Sequence, residues 1–221
     1  MSTYVIVGGH GKVALMATPL LVSQHHRVNS IIRNTGQRED IEALGAHPIV
    51  LDVQAADEDS MVEAFRDADA VVWSAGAGGG SADRTYGIDR DGAIRSMKAA
   101  ERAHVGRYVM VSYWGAGNDL DRYSPQSSFY PYAKAKADAD AFLRSSSLKW
   151  TILAPTTLSL AEPSGKITLG TPDHVYAELP ATSRGNVARV IAASLIDDTT
   201  IGKTLSFHDG DTAIADAIHT V

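Results

Sequence analysis

Gly8-Gly9-His10-Gly11-Lys12-Val13-Ala14 follows the apolar run Tyr4-Val5-Ile6-Val7 and leads into an Ala/Leu-rich segment with helical spacing. A strand that passes into a helix through a side-chain-poor turn constrains this chain more than any other feature. Backbone N–H groups reach a pyrophosphate only where side chains are absent at fixed offsets, and the following helix aims its N-terminus at the phosphates. Gly9, Gly11 and Ala14 fit the G-x-G-x-x-G/A pattern, and Gly8, Gly11 and Ala14 fit its G-x-x-G-x-x-A variant. Glycine pairs also turn strands into helices with no ligand present. The flanking strand and helix favour a dinucleotide, with Gly8, Gly9, His10, Gly11, Lys12 and Val13 as expected contacts. His10 either lies along the pyrophosphate or is an ordinary turn histidine.

Further apolar runs recur at Val28 to Ile32, Pro48 to Leu51, Ala70 to Trp73, Tyr108 to Val111, Trp150 to Leu153 and Thr204 to Phe207. Hydrophobicity that is continuous rather than alternating means that both strand faces are covered, which helices between parallel strands provide. The predicted helices run from Lys12 to Gln24, Arg38 to Leu44, Asp57 to Arg66, Asp91 to His104, Tyr132 to Ser145, Arg184 to Ile196 and Thr212 to His219. The expected fold is α/β, a doubly wound parallel sheet of the Rossmann type, in one domain over residues 1–221 with a small C-terminal extension on the substrate side. Ligands of such sheets lie beyond the carboxyl ends of the strands. Ser74, Ala75 and Gly76 after the fourth strand, and Pro155, Thr156 and Thr157 after the sixth, are therefore expected at the cofactor. Loops around 76–88, 113–131 and 156–183 are expected to enclose a substrate.

A length of 221 residues with 44% hydrophobic content suits one compact domain. The net charge of −6 and the lack of a Lys/Arg block argue against a nucleic-acid partner, and leave a small molecule. There are no cysteines, so disulfides, thiolate metal sites and a cysteine nucleophile are excluded. The eight histidines are dispersed, without ligand spacing, and no metal site is expected. No apolar run approaches the ~20 residues of a membrane span, and no signal-peptide pattern leads the chain. The expectation is a cytoplasmic protein, either monomer or homodimer.

Dinucleotide sites of this type usually offer Asp or Glu to the ribose about 20 residues past the glycine turn. The second predicted strand instead ends Ile31-Ile32-Arg33-Asn34. A guanidinium there either closes a strand in solvent or forks onto a 2′-phosphate, and the second reading favours NADP (NADPH) over NAD. Asp52, followed by Val53 past the third strand, is either an adenine acceptor or a loop acid.

Downstream, Tyr130-Pro131-Tyr132-Ala133-Lys134-Ala135-Lys136-Ala137-Asp138-Ala139-Asp140 contains Tyr-x-x-x-Lys in two registers. A spacing of four puts both side chains on one helix face. Reduction of a carbonyl needs an acid, and a phenol with a pKa near 10 becomes competent when a neighbouring ammonium favours its ionised form. The bland reading is a solvated face of i,i+4 pairs, Lys134 with Asp138 and Lys136 with Asp140.

Together, the glycine turn, Val109-Met110-Val111-Ser112, Asp89 to Gly92, Tyr132-x-x-x-Lys136-x-x-x-Asp140 and Thr151-Ile152-Leu153-Ala154-Pro155 resemble an atypical short-chain dehydrogenase. The nearest group is the small NAD(P)H-binding, NmrA-like and biliverdin/flavin-reductase-like proteins, and the resemblance covers nearly the whole chain. It implies the Tyr132/Lys136 register, with Ser112 as a further candidate catalytic residue and Lys136 also at the nicotinamide ribose. Departures are Trp114 where extended members carry the substrate-holding Ser or Thr, Ala154 for the usual Arg, and Asn186 for the usual Asp. Extended members also carry a larger carboxyl-terminal cap, so specificity is expected to come from the loops. The resemblance implies an NADP-dependent oxidoreductase acting on a small carbonyl, quinone or flavin-like substrate. A non-catalytic NADP(H) sensor and a nucleotide-sugar epimerase or dehydratase are the alternatives.

Overall fold

In a computed structural model, residues 1–79, 81–116, 120, 123–171 and 178–220 are described. The first apolar run becomes β1 (Thr3–Val7), whose side chains alternate between two cores: Tyr4 and Ile6 enter one, Val5 and Val7 the other. Burial on both faces is why the run reads as continuously apolar. After β1 come α1 (Lys12–Ser23), β2 (Arg27–Ile32), α2 (Arg38–Ala43), β3 (His47–Val50), α3 (Glu58–Ala64) and β4 (Ala70–Trp73). The second half contains α4 (Ala82–Thr85), α5 (Ala93–Arg102), β5 (Arg107–Val111), α6 (Tyr130–Ser145) and β6 (Trp150–Pro155). It closes with β7 (Leu158–Ser159), β8 (Lys166–Leu169), β9 (Thr182–Ser183), α7 (Arg184–Ile196), β10 (Lys203–Asp209), β11 (Thr212–Ala213) and α8 (Ile214–His219).

Among the described residues, nine strands form one sheet in the order β11-β8-β10-β6-β5-β4-β1-β2-β3. The strands from β3 to β10 are parallel, as in a doubly wound Rossmann-type sheet. Helices α1, α7 and α8 cover one face, and α3, α5 and α6 the other. Strand order reverses between β1 and its neighbours β2 and β4, which opens the crevice beyond Val7 and Trp73. No helix among the described residues is long and apolar enough to cross a membrane.

Two details refine the expected layout. The sheet is not wholly parallel, because β8 runs antiparallel to β10 and β11 antiparallel to β8. Both come from short stretches with exposed positions, beside turns at Gly165 and Gly210, which carry little strand signal. Nor is 76–88 a loop throughout. Helix starts at Ala82, capped by the Ser81 hydroxyl, and continues through a π-helical segment, Tyr86–Gly92, into α5. Of the other expected loops, residues 117–119, 121–122 and 172–177 lie outside the described residues.

Candidate functional site

The crevice holds two cavities that share Gly11, Ser74, Ala75 and Gly76. The first, about 250 Å³, runs along the ends of β2 and β3, with Gly8, His10, Arg33, Asp52, Val53, Arg84 and Ile88 in its lining. The second, about 580 Å³, extends toward α6 and α7, with Lys12, Val13, Asp89, Ser112, Phe129, Tyr132, Lys136 and Arg184 in its lining.

The bare turn between them has a steric cause. Gly8 has φ +81°, and a Cβ there would lie 2.7 Å from the Ala75 Cα, so β1 and the segment after β4 meet backbone to backbone. A Cβ on Gly9 would lie 2.6 Å from the Ser30 Cβ. Gly9 thus seats the turn on β2 and lines neither cavity, while Gly11 presents bare backbone to both. His10 is fastened to Asp40 through Nε2 at 2.7 Å and to Gln37 through Nδ1 at 3.1 Å, which holds its ring at the wall of the first cavity. Asp52 accepts from the Gln54 N–H at 3.0 Å and still borders the cavity.

Charges in this crevice are unbalanced. Among the described residues no hydrogen bond or ion pair joins the side chain of Arg33, Arg84 or Lys12 to another group, and the Arg84 Nε is buried without a partner. Buried donors are nearly always satisfied in folded proteins, so an arginine that lines the cavity with an orphan Nε and no acid partner is a cation left over by the fold. A bare glycine turn beside unpaired cations fits a phosphorylated dinucleotide.

At the other end, α6 puts Tyr132 and Lys136 on the same cavity wall. Lys136 is only 2% exposed and donates from Nζ to the Val111 carbonyl at 2.7 Å. Asp140 is fully buried and accepts from the Ser112 hydroxyl at 2.6 Å. The solvated-face reading therefore fails for Lys136 and Asp140. It holds for the other register, in which Lys134 and Asp138 form a half-exposed ion pair at 2.9 Å. The Tyr132 ring packs against Tyr113 and Phe129, with centroids 5.3 and 5.4 Å away.

The π-helical segment turns Asp89 inward, where it is buried and accepts from the Ala77 N–H at 3.0 Å. Burial pushes the carboxyls of Asp89 and Asp140 up, and the Lys136 charge offsets part of this at both. A carboxyl raised in the folded state favours folding fully below its unfolded value and loses that contribution as pH rises through the interval up to its folded value. Asp140→Asn cannot ionise. It should flatten the decline of thermal stability as pH rises above the ordinary carboxylate range, and melting curves parallel to wild type there would contradict this.

Three other expected cofactor contacts lie elsewhere. Pro155, Thr156 and Thr157 line neither cavity. Thr156 Oγ1 donates to the Pro180 carbonyl at 2.6 Å and meets Thr182 Oγ1 at 2.8 Å, while the Thr157 carbonyl accepts from the Thr182 N–H, which ties this segment to β9. Trp114 is buried, and its backbone N–H donates to the Pro155 carbonyl. Asn186 donates from Nδ2 to Asp209 at 2.7 Å and accepts from the Gly165 N–H at 2.9 Å. Because Asp209 supplies the carboxylate, an amide is the complementary group at 186. Sequence reasoning missed Arg84, Phe129 and Arg184 as lining residues, and saw Asp89 only as a helix start. Among the described residues no group of three or more His, Asp or Glu could hold a metal.

A family model described as NAD(P)H-binding matches residues 8–198. The chain belongs to this NAD(P)H-binding family. Similar members include the UPF0659 protein C216.03 of Schizosaccharomyces pombe, 32% identical over 99% of this chain and 94% of that one. Among solved structures, a candidate NAD-dependent epimerase/dehydratase from Bacillus halodurans is 34% identical, covers all of both chains and overlays with a TM-score of 0.91. The oxidoreductase ylbE from Lactococcus lactis is 25% identical with a TM-score of 0.85, covering 99% of this chain and 96% of that one. The NAD(P)H-binding family and the fold expected from the motifs thus both hold.

Proposed function

We propose that this family member is an NADP-dependent oxidoreductase, working in the cytoplasm on a small carbonyl, quinone or flavin-like substrate. One observation carries the reading. Tyr132 and the buried Lys136 share a cavity that opens, through Gly11 and Ser74 to Gly76, onto a second cavity lined by the unpaired Arg33 and Arg84. Gly8, Gly11 and the N-terminus of α1 would hold the pyrophosphate, Arg33 and Arg84 a 2′-phosphate, Asp52 and Val53 the adenine side, and Lys136 the nicotinamide ribose.

Bound NADPH supplies the hydride. The protein's part is the proton: Tyr132 donates from its hydroxyl to the substrate oxygen, and the Lys136 ammonium stabilises the phenolate left behind. The Ser112 hydroxyl donates its hydrogen bond to Asp140. While that bond stands, its lone pairs can accept from a substrate hydroxyl but it cannot donate to a carbonyl oxygen.

The test is NADPH consumption, followed by absorbance against quinones, flavins, aldehydes and ketones. Turnover with at least one class, slower with NADH, is expected. NADPH binding without any consumption would replace this reading with the sensor. An epimerase or dehydratase, the class named for the Bacillus halodurans protein, would convert its substrate with no net cofactor consumption.

A further inference from the structure

Arg184 is the first residue of α7 and lines only the second cavity, together with Ser128, Phe129 and Leu158, none of which borders the first. Its Nη1 donates to the Leu158 carbonyl at 3.2 Å. No other hydrogen bond or ion pair engages the guanidinium among the described residues, so most of its donors remain available. The other cations of this cavity have explanations. Lys136 is committed to the Val111 carbonyl, and Lys12 stands beside Gly11 at the phosphate turn. Among the described residues the single acid in the lining, Asp89, is held by the Ala77 N–H, and its burial disfavours the charged form. The same cavity carries aromatic rings in its lining. Phe129, 39% exposed, meets the rings of Tyr113 and Tyr132 at 5.7 and 5.4 Å.

We infer that the substrate carries a carboxylate, held by Arg184, on a planar apolar body that lies against Phe129 and Tyr132. A half-buried guanidinium offers two parallel N–H donors to a carboxylate, and such charge-assisted pairs are about twice as strong as neutral ones. The inference takes from the proposed oxidoreductase only the location of the reacting end, at Tyr132. It can therefore be tested by binding alone.

The probes are 2-naphthoate and 2-naphthamide, which share a ring system and differ in charge, titrated by calorimetry into the protein with and without NADP+. Wild type should bind the naphthoate about tenfold more tightly, and Arg184→Gln should bring the two affinities together. Arg184→Gln should melt like wild type and bind ADP-ribose, which carries the pyrophosphate, with unchanged affinity. Equal affinities in wild type, no detectable naphthoate binding, or a preference retained in Arg184→Gln would overturn the proposal. So would an equal loss of ADP-ribose affinity, which would assign the guanidinium to the cofactor. If wild type takes up neither NADP+ nor ADP-ribose, the oxidoreductase reading fails, while the cofactor-free titration still tests Arg184.

Discussion

Tyr132→Phe is expected to lower turnover with NADPH by at least about a hundredfold while leaving NADPH affinity within about twofold of wild type. General acid catalysis by a positioned side chain is worth about 10² to 10⁴ in rate, and phenylalanine removes the acid. The ring should stay in place, because its contacts with Tyr113 and Phe129 are made by carbon atoms that phenylalanine retains. Lys136→Met should behave differently. Lys136 bridges from α6 to the end of β5 through the Val111 carbonyl, and its charge offsets the buried Asp89 and Asp140. Its loss should lower both turnover and thermal stability, whereas Tyr132→Phe should lower turnover alone. Steady-state rates, fluorescence titration with NADPH and melting temperatures separate the two patterns. If Tyr132→Phe retains full activity, water protonates the product and the tyrosine only shapes the cavity.

The β1 to α1 turn was legible in the sequence because its cause is local: a Cβ at Gly8 or Gly9 collides with residues that the Rossmann connection always brings near. The α6 register was legible only through the resemblance, since both Tyr-x-x-x-Lys pairs have helical spacing. What separates them is burial, which holds Lys136 against the Val111 carbonyl at the end of β5 and leaves Lys134 half-exposed with Asp138. The segment from Ala82 to Ile88 reads in the sequence as a continuation of the glycine-rich loop that ends at Ser81, while Asp89 to Gly92 reads as a helix start. In the fold, a Cβ at Gly92 would lie 3.1 Å from the Val53 carbonyl oxygen, and one at Gly87 3.2 Å from the Gln54 side chain, so both are close-packing glycines of a helix. The misplacement of Thr156 has a similar origin: β7 and β9, two residues each, redirect its hydroxyl to Pro180 and Thr182. That Arg84 and Arg184 lack acid partners is a property of the assembled crevice, which no local pattern encodes.

Arg33→Ala is expected to weaken NADPH binding by about tenfold to a hundredfold and to leave NADH binding almost unchanged. The size follows from a charged hydrogen bond worth about 1.5–3 kcal/mol, and the selectivity follows because NADH lacks the 2′-phosphate. Arg33 is exposed at the end of β2, and its loss should cost the apo protein no stability. Arg84 faces the same cavity from α4 on the opposite side of the sequence motif, with its Nε already withdrawn from water. Arg84→Ala should therefore also weaken NADPH, and it should raise the melting temperature of the apo protein slightly, because it removes an unsatisfied buried donor. If both guanidinium groups hold one phosphate as a single clamp, the double variant should lose less than the sum of the two single effects, since removing either arm already breaks the clamp. Titrations with 2′,5′-ADP and ADP-ribose assign each loss. Effects confined to 2′,5′-ADP place both arginines on the 2′-phosphate, whereas equal losses for NADPH and NADH in either variant would remove that arginine from the choice of cofactor.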